Sequence, residues 1–193
     1  REWMRLRTAD AHFVLDTLRA ECLQTPADAL FSRIDLDRIG MFGHSLGGAT
    51  AAQLGRERTD IDAVIVLDGT MLGEEVDFKD GAVVLNEEPY PVPLLNVYAQ
   101  DHYESSLAFD GDGYDNFHAT RGAVAAYETV YLGAGHLNFT DLPLFSPILA
   151  DLLGVGTTDA RTCIETVNGI VVSFFDGILQ NTGVPAIEKE YGK

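Results

Sequence analysis

The segment Met41-Phe42-Gly43-His44-Ser45-Leu46-Gly47-Gly48 constrains this chain more than any other stretch. A strand-like run, Arg38 to Phe42, leads into it, and a small-residue, helix-like run, Ala49 to Leu54, leaves it. Gly-x-Ser-x-Gly at a strand-to-helix turn has the spacing of a nucleophile elbow. There the serine takes a strained backbone conformation and its hydroxyl projects out of the sheet. Gly43 and Gly47 are expected where strand and helix approach too closely for a Cβ. The amide of Leu46, at the helix start, would face a developing oxyanion with the helix dipole behind it. Ser45 is therefore the candidate nucleophile; the plain alternative is an ordinary helix cap in a glycine-rich turn.

Helix-like and strand-like segments alternate around this turn. Arg1 to Leu23 carries Met4, Leu6, Phe13, Val14, Leu18 and Cys22 in a helical rhythm. Ile61 to Leu67 and Leu94 to Ala99 are apolar runs of strand length, and Ala126 to Leu132 is a further strand. Between them, Met71 to Pro93 is an irregular excursion rich in Gly, Glu and Pro, and Asp115 to Gly122 is a short helix. From Thr158 to Gln180, apolar residues recur at threes and fours, the mark of a helix packed on a sheet. Strands joined through helices or long connections imply an α/β fold, a mostly parallel sheet with flanking helices.

With 193 residues, 46% hydrophobic and 22% charged, the chain is read as one globular domain over residues 1–193. A net charge of −17 argues against nucleic acid and anionic membranes as partners. No uninterrupted apolar run is long enough to cross a bilayer. Cys22 and Cys163 are far apart, in no metal-binding spacing, and are read as small hydrophobes. The loop Asp110-Gly111-Asp112-Gly113-Tyr114-Asp115-Asn116 has closely spaced oxygen donors but lacks the glutamate that closes a calcium loop. It is read as a solvated turn, and no metal or cofactor is expected. Composition leaves the cellular compartment open.

A serine hydroxyl needs a histidine to accept its proton and an acid to orient that histidine. In an open α/β sheet, cooperating residues sit beyond the carboxyl ends of strands. Asp68 ends one strand, Asp101 follows the next, and His136 follows the last within Gly133-Ala134-Gly135-His136. Of five histidines, His136 alone combines a strand end, a glycine-rich approach and the last place in the order Ser, Asp, His. His12 lies in the first helix, His118 in the short helix, and His44 is expected to point away from the serine hydroxyl. His102 adjoins the site but precedes the last strand. Asp68, ending an apolar run, is the preferred acid; Asp101, beside His102, Tyr103 and Glu104, is expected in a wetter loop.

These segments resemble one family. Gly43-His44-Ser45-Leu46-Gly47-Gly48, Val66-Leu67-Asp68-Gly69-Thr70-Met71-Leu72-Gly73 and Gly135-His136-Leu137-Asn138-Phe139-Thr140-Asp141 are similar to the platelet-activating-factor acetylhydrolase family of lipase-like α/β hydrolases. The resemblance runs through most of residues 34 to 145, and the His-x-Asn-Phe-x-Asp pattern is present in full. It implies a calcium-independent serine esterase with the triad Ser45, Asp68 and His136, acting on short or oxidised acyl chains of phospholipids or related small esters. It also places the acid after the strand that follows the elbow helix, which favours Asp68 over Asp101.

In one respect the chain departs from that pattern. Only 44 residues precede Ser45, room for one helix and one strand, whereas α/β hydrolases place several strands and the second oxyanion amide there. The expectation is the carboxyl-terminal half of an α/β-hydrolase fold, its apolar sheet edge covered by a preceding segment or by a second copy of the chain. Two other readings stand beside the phospholipid esterase: a cutinase-like polyester esterase, and a non-catalytic module that keeps the elbow as a scaffold. Leu142-Pro143-Leu144-Phe145-Ser146-Pro147-Ile148-Leu149 is read first as core, and second as a surface touching lipid or flanking an acyl pocket.

Overall fold

The computed structural model of the protein describes residues 2–109, 111–153 and 155–184. Helix α1 (Glu2–Gln24) precedes β1 (Gly40–His44), helix α2 (Leu46–Glu57) and β2 (Ala63–Leu67). A hairpin of β3 (Glu75–Lys79) and β4 (Ala82–Leu85) follows, then β5 (Leu94–Ala99). Next come α3 (Gln100–Phe109), α4 (Asp115–Gly122), β6 (Ala126–Tyr131), two short helices α5 (Leu142–Phe145) and α6 (Pro147–Leu152), and α7 (Ala160–Leu179).

Strands β1, β2, β5 and β6 form one parallel sheet in that order. The period-two alternation of side chains divides its apolar residues between two cores. Ala63, Ile65, Leu67, Leu95 and Val97 face α7, whose Cys163, Val167, Ile170 and Phe174 are buried against them. Val64, Val66 and Leu94 face the other side, where Ala51 and Ala52 of α2 meet Met71, Tyr90 and Ala119. Helix α2 sits close because it is built from small residues: a Cβ on Gly48 would lie 2.9 Å from a Val66 methyl. Asp159 caps α7 by accepting the Thr162 amide at 2.9 Å.

The architecture is the expected α/β one, with several local corrections. The excursion after Met71 holds the β3–β4 hairpin, turned by Asp80 (φ 54°) and Gly81 (φ 84°). Positive φ at both central residues is what a tight two-residue hairpin turn requires. Asp101 lies in the first turn of α3 rather than in a loop. In the acidic loop, Tyr114, Asp115 and Asn116 are buried, so this half is not a solvated turn; Asp110 lies outside the described residues. The run after Leu142 is mostly surface rather than core: Phe145 is 83% exposed and Ile148 86%. The apolar residues of α1 are also largely exposed, with Met4 and Thr8 its buried positions. Cys22 and Cys163 are both free, Cys163 buried and Cys22 half-buried. Helix α7 is long and apolar enough, at mean hydropathy 1.4, to cross a membrane by length and composition alone. Here its buried face covers the sheet.

Candidate active site

The site follows from strand register. Gly40 through His44 pair level with Ala63 through Leu67, so the next residues, Ser45 and Asp68, leave adjacent strands side by side. Leu67 pairs with Val97, and Ala99 of β5 pairs with Tyr131 at the end of β6. The turn carrying His136 thus begins at the same rim. Two backbone bonds lock it: Ser45 N–H donates to Leu67 O at 2.9 Å and Asp68 N–H to Val97 O at 2.7 Å.

Ser45 has φ 56° and ψ −125°, a conformation that L-residues rarely adopt, at the tip between β1 and α2. Gly43 permits the turn: a Cβ there would lie 2.3 Å from the Gly47 carbonyl carbon. A Cβ on Gly47 itself would meet nothing within 4 Å, so the crowding expected at both glycines belongs to Gly43 and to Gly48 behind it. Leu46 is the first residue of α2, which puts its amide at the positive end of the helix.

His136 Nε2 lies 3.0 Å from Ser45 Oγ, and its Nδ1 lies 2.7 Å from Asp68 Oδ2. The structure brings these three sequence-selected side chains into one hydrogen-bonded line. Asp101 is not part of it; its carboxylate accepts the His102 amide at 2.8 Å on the exposed side of α3. His12 pairs with Glu57 and His118 with the Asn86 carbonyl, both away from the site. His44 is nearer than expected. Its ring lies 4.4 Å from that of His136, and its Nε2 is 3.0 Å from the His136 carbonyl. Burial, with the His136 ring beside it, lowers the His44 pKa, so the neutral ring donates Nε2–H to that carbonyl.

The Asp68 side chain is fully buried, with φ 48°. Burial opposes its ionisation, but hydrogen bonds from His102, His136 and the Ala99 amide outweigh that and hold its pKa well below the usual carboxylate range. The Ala99 amide and His102 Nδ1 both reach Oδ1, at 2.7 and 3.0 Å. Buried Asn116 fastens the chain beyond Asp68: its Oδ1 accepts the Met71 amide and its Nδ2 donates to the Gly69 carbonyl, each at 2.8 Å. Asn138 holds the His136 turn, its Oδ1 accepting the Gly135 and Gly156 amides at 2.8 and 2.7 Å. His102, Asn116 and Asn138 were not assigned these tasks from sequence. For His102 the available signal was its place just past the strand end that follows the acid's strand. A small pocket of about 250 Å³ lies against Ser45, Leu46, Gly69, Thr70, Leu72 and His136.

The family model described as platelet-activating factor acetylhydrolase, isoform II, matches residues 23–182. The chain belongs to this family. Within that span lie all three members of the hydrogen-bonded line and the Asn138 clamp. A ferulic acid esterase from Streptomyces cinnamoneus has a similar structure, with a TM-score of 0.67 and 25% identity. The match covers 97% of this chain and 52% of that one, so this acetylhydrolase-family chain spans about half the length of the esterase. No curated protein matches the chain in sequence.

Proposed function

We propose that the protein is a serine-dependent carboxylic-ester hydrolase acting on short or oxidised acyl esters of phospholipids, or on small esters of similar size. One observation carries the reading: Ser45 Oγ, both nitrogens of His136 and Oδ2 of Asp68 lie in line at 3.0 and 2.7 Å. That alignment is what turns a serine hydroxyl into a nucleophile at neutral pH. Ser45 Oγ attacks the ester carbonyl while His136 Nε2 takes its proton. The carbonyl oxygen becomes an oxyanion facing the Leu46 amide. As the ester C–O bond breaks, His136 returns the proton to the departing alcohol and an acyl group remains on Ser45. Water, deprotonated by His136, then releases the acid. Asp68 stays ionised throughout, holding Nδ1–H and stabilising the imidazolium.

A pocket of about 250 Å³ is smaller than those that enclose drug-sized ligands, which favours a short acyl group. The family name points the same way. The structural neighbour supports a second reading, an esterase of feruloyl type, beside which the cutinase-like polyester alternative rests on the Gly133-Ala134-Gly135-His136 segment alone. A non-catalytic module would have no need for a serine hydroxyl held 3.0 Å from an imidazole.

A fluorophosphonate probe should label Ser45 in the unaltered protein, and Ser45→Ala should lose both labelling and p-nitrophenyl acetate hydrolysis. Retained turnover in Ser45→Ala would overturn the assignment. Rates on p-nitrophenyl acetate should exceed those on the palmitate ester by tenfold or more. Parallel assays on short-chain phosphatidylcholine, a methyl ferulate ester and an aliphatic polyester film then separate the two substrate readings.

A further inference from the structure

Asp68 carries two imidazoles, and a hydrolase of this kind uses one. His136 Nδ1 meets Oδ2 at 2.7 Å, while His102 Nδ1 meets Oδ1 at 3.0 Å. His102 does not stop there: its Nε2 lies 3.1 Å from the Tyr114 hydroxyl, which lies 3.2 Å from Thr70 Oγ1. Thr70 itself stands in the pocket beside Ser45. The hydrogen-bonded line therefore continues past the acid, through Ser45, His136, Asp68, His102, Tyr114 and Thr70.

Resting on the hydrolase reading above, we propose that His102 is a positioning residue of the triad: it fixes the second oxygen of Asp68 and, by gaining or losing a proton, sets the basicity of His136. The geometry permits both states. Neutral His102 donates Nδ1–H to Asp68 and accepts the Tyr114 O–H at Nε2. Protonated His102 donates from both nitrogens, and the Tyr114 hydroxyl accepts that bond and turns its own proton to Thr70 Oγ1. The proton enters from water, because His102 also lines a second cavity of about 560 Å³ with Ser106, Phe109 and Tyr114. Its side chain is 27% exposed, against 0% for Asp68.

The charged and titratable groups facing His102 set the direction. Asp68 leads, from the end of β2, and its hydrogen bond raises the His102 pKa over the opposing effect of burial. Asp101 on its own helix adds to this. Glu75 of β3 and Asp115 of α4 line the same cavity, and His136 lies across Asp68. Tyr114 stays protonated across the working range, its own pKa raised to about 12 mainly by burial. A proton on His102 thus offsets the one buried carboxylate that His136 depends on, and His136 becomes a weaker base. Two such coupled groups titrate as a pair rather than singly.

The test measures the rate of fluorophosphonate labelling at Ser45 from pH 5 to 9 in the unaltered protein, His102→Phe, His102→Asn and Tyr114→Phe. The unaltered protein should lose rate on the acid side more gradually than a single ionisation gives, because a proton on His102 opposes the one on His136. His102→Phe should label about tenfold more slowly at pH 8, and its acid limb should follow a single ionisation shifted upward by about one unit. His102→Asn restores an N–H toward Oδ1 without a titrating charge; it should recover most of the rate at pH 8 and keep the single, shifted limb. Tyr114→Phe withdraws the acceptor of the second imidazolium proton and should shift the limb in the same direction by less. If all three variants keep the rate and limb of the unaltered protein, His102 is a packing residue and the inference is overturned. If Ser45 is never labelled in the unaltered protein, the hydrolase reading falls first and takes this one with it.

Discussion

Ser45 and Asp68 both have positive φ, 56° and 48°, and neither is glycine. Such conformations cost about 1–3 kcal/mol each and persist where surrounding contacts over-determine them. Around Ser45 those contacts are the Leu67 carbonyl and the start of α2. The strain predicts a separation of stability from activity. Ser45→Gly should unfold at higher urea than Ser45→Ala, by about 1 kcal/mol, since glycine alone is relaxed there. Both variants should be inactive. At Asp68 the expectation reverses: Asp68→Asn keeps the shape but favours the wrong imidazole tautomer, and ester turnover should fall about 10³–10⁴-fold. The pH signs also differ between partners. The Asp68 pKa is depressed, so its stabilisation is complete above about pH 4 and is lost as pH falls through the folded value. The His102 pKa is raised, so its contribution is complete below about pH 6.5 and is lost as pH climbs through the folded value. Urea unfolding between pH 6 and 9 should therefore show a smaller loss of stability for His102→Asn than for the unaltered protein.

Elements with buried side chains were legible in the sequence, because burial imposes a period on a half-buried helix and a continuous apolar run on a strand covered on both faces. Helix α7 repeats its buried positions at Cys163, Val167, Ile170 and Phe174, and β2 and β5 are buried along their whole length. Phe174→Ala should cost about 3–5 kcal/mol by urea unfolding, whereas Val172→Ala, on the 59% exposed side of the same helix, should stay within about 0.5 kcal/mol. The candidate triad was legible for a related reason, since strand ends converge on one rim. Elements without a periodic face were harder to see. The β3–β4 hairpin is mostly exposed, so no apolar alternation marks it, although Asp80-Gly81 between Phe78 and Val83 was a usable turn signal. Helix α1 misled in the opposite way. Its apolar rhythm is real, yet Phe13 and Val14 face outward, and polar contacts tie the helix to the end of α2 and the residue after it, His12 with Glu57 and Asp16 with Arg58. Asn116 and Asn138 were invisible because a buried amide has no spacing rule; its partners are backbone groups brought together by the fold.

At the scale of the whole molecule two tendencies oppose each other. Among the described residues strand β1 pairs with β2 alone, which leaves its outer side as the edge of the sheet, and Phe42, midway along it, is 55% exposed. An apolar edge of this kind is a template for pairing with another chain. Against it stands a net charge of −17, which repels like copies over about 8 Å at physiological salt and over shorter distances as salt rises. The balance predicts association that strengthens with ionic strength, the reverse of contacts made by ion pairs. Sedimentation velocity of the 193-residue chain should show the weight-average mass rising between low salt and about 1 M sodium chloride, where the screening length is about 3 Å. Phe42→Lys places a charge on the edge and removes its apolar centre, so it should hold the chain nearer its monomer mass at high salt. It should do so at little cost to folding, since Phe42 is more than half exposed and meets Phe175 edge-on at 6.2 Å. Equal association in Phe42→Lys and the unaltered chain would exclude β1 as the contact and direct attention to the exposed Phe145, Ile148 and Leu152 of α5 and α6.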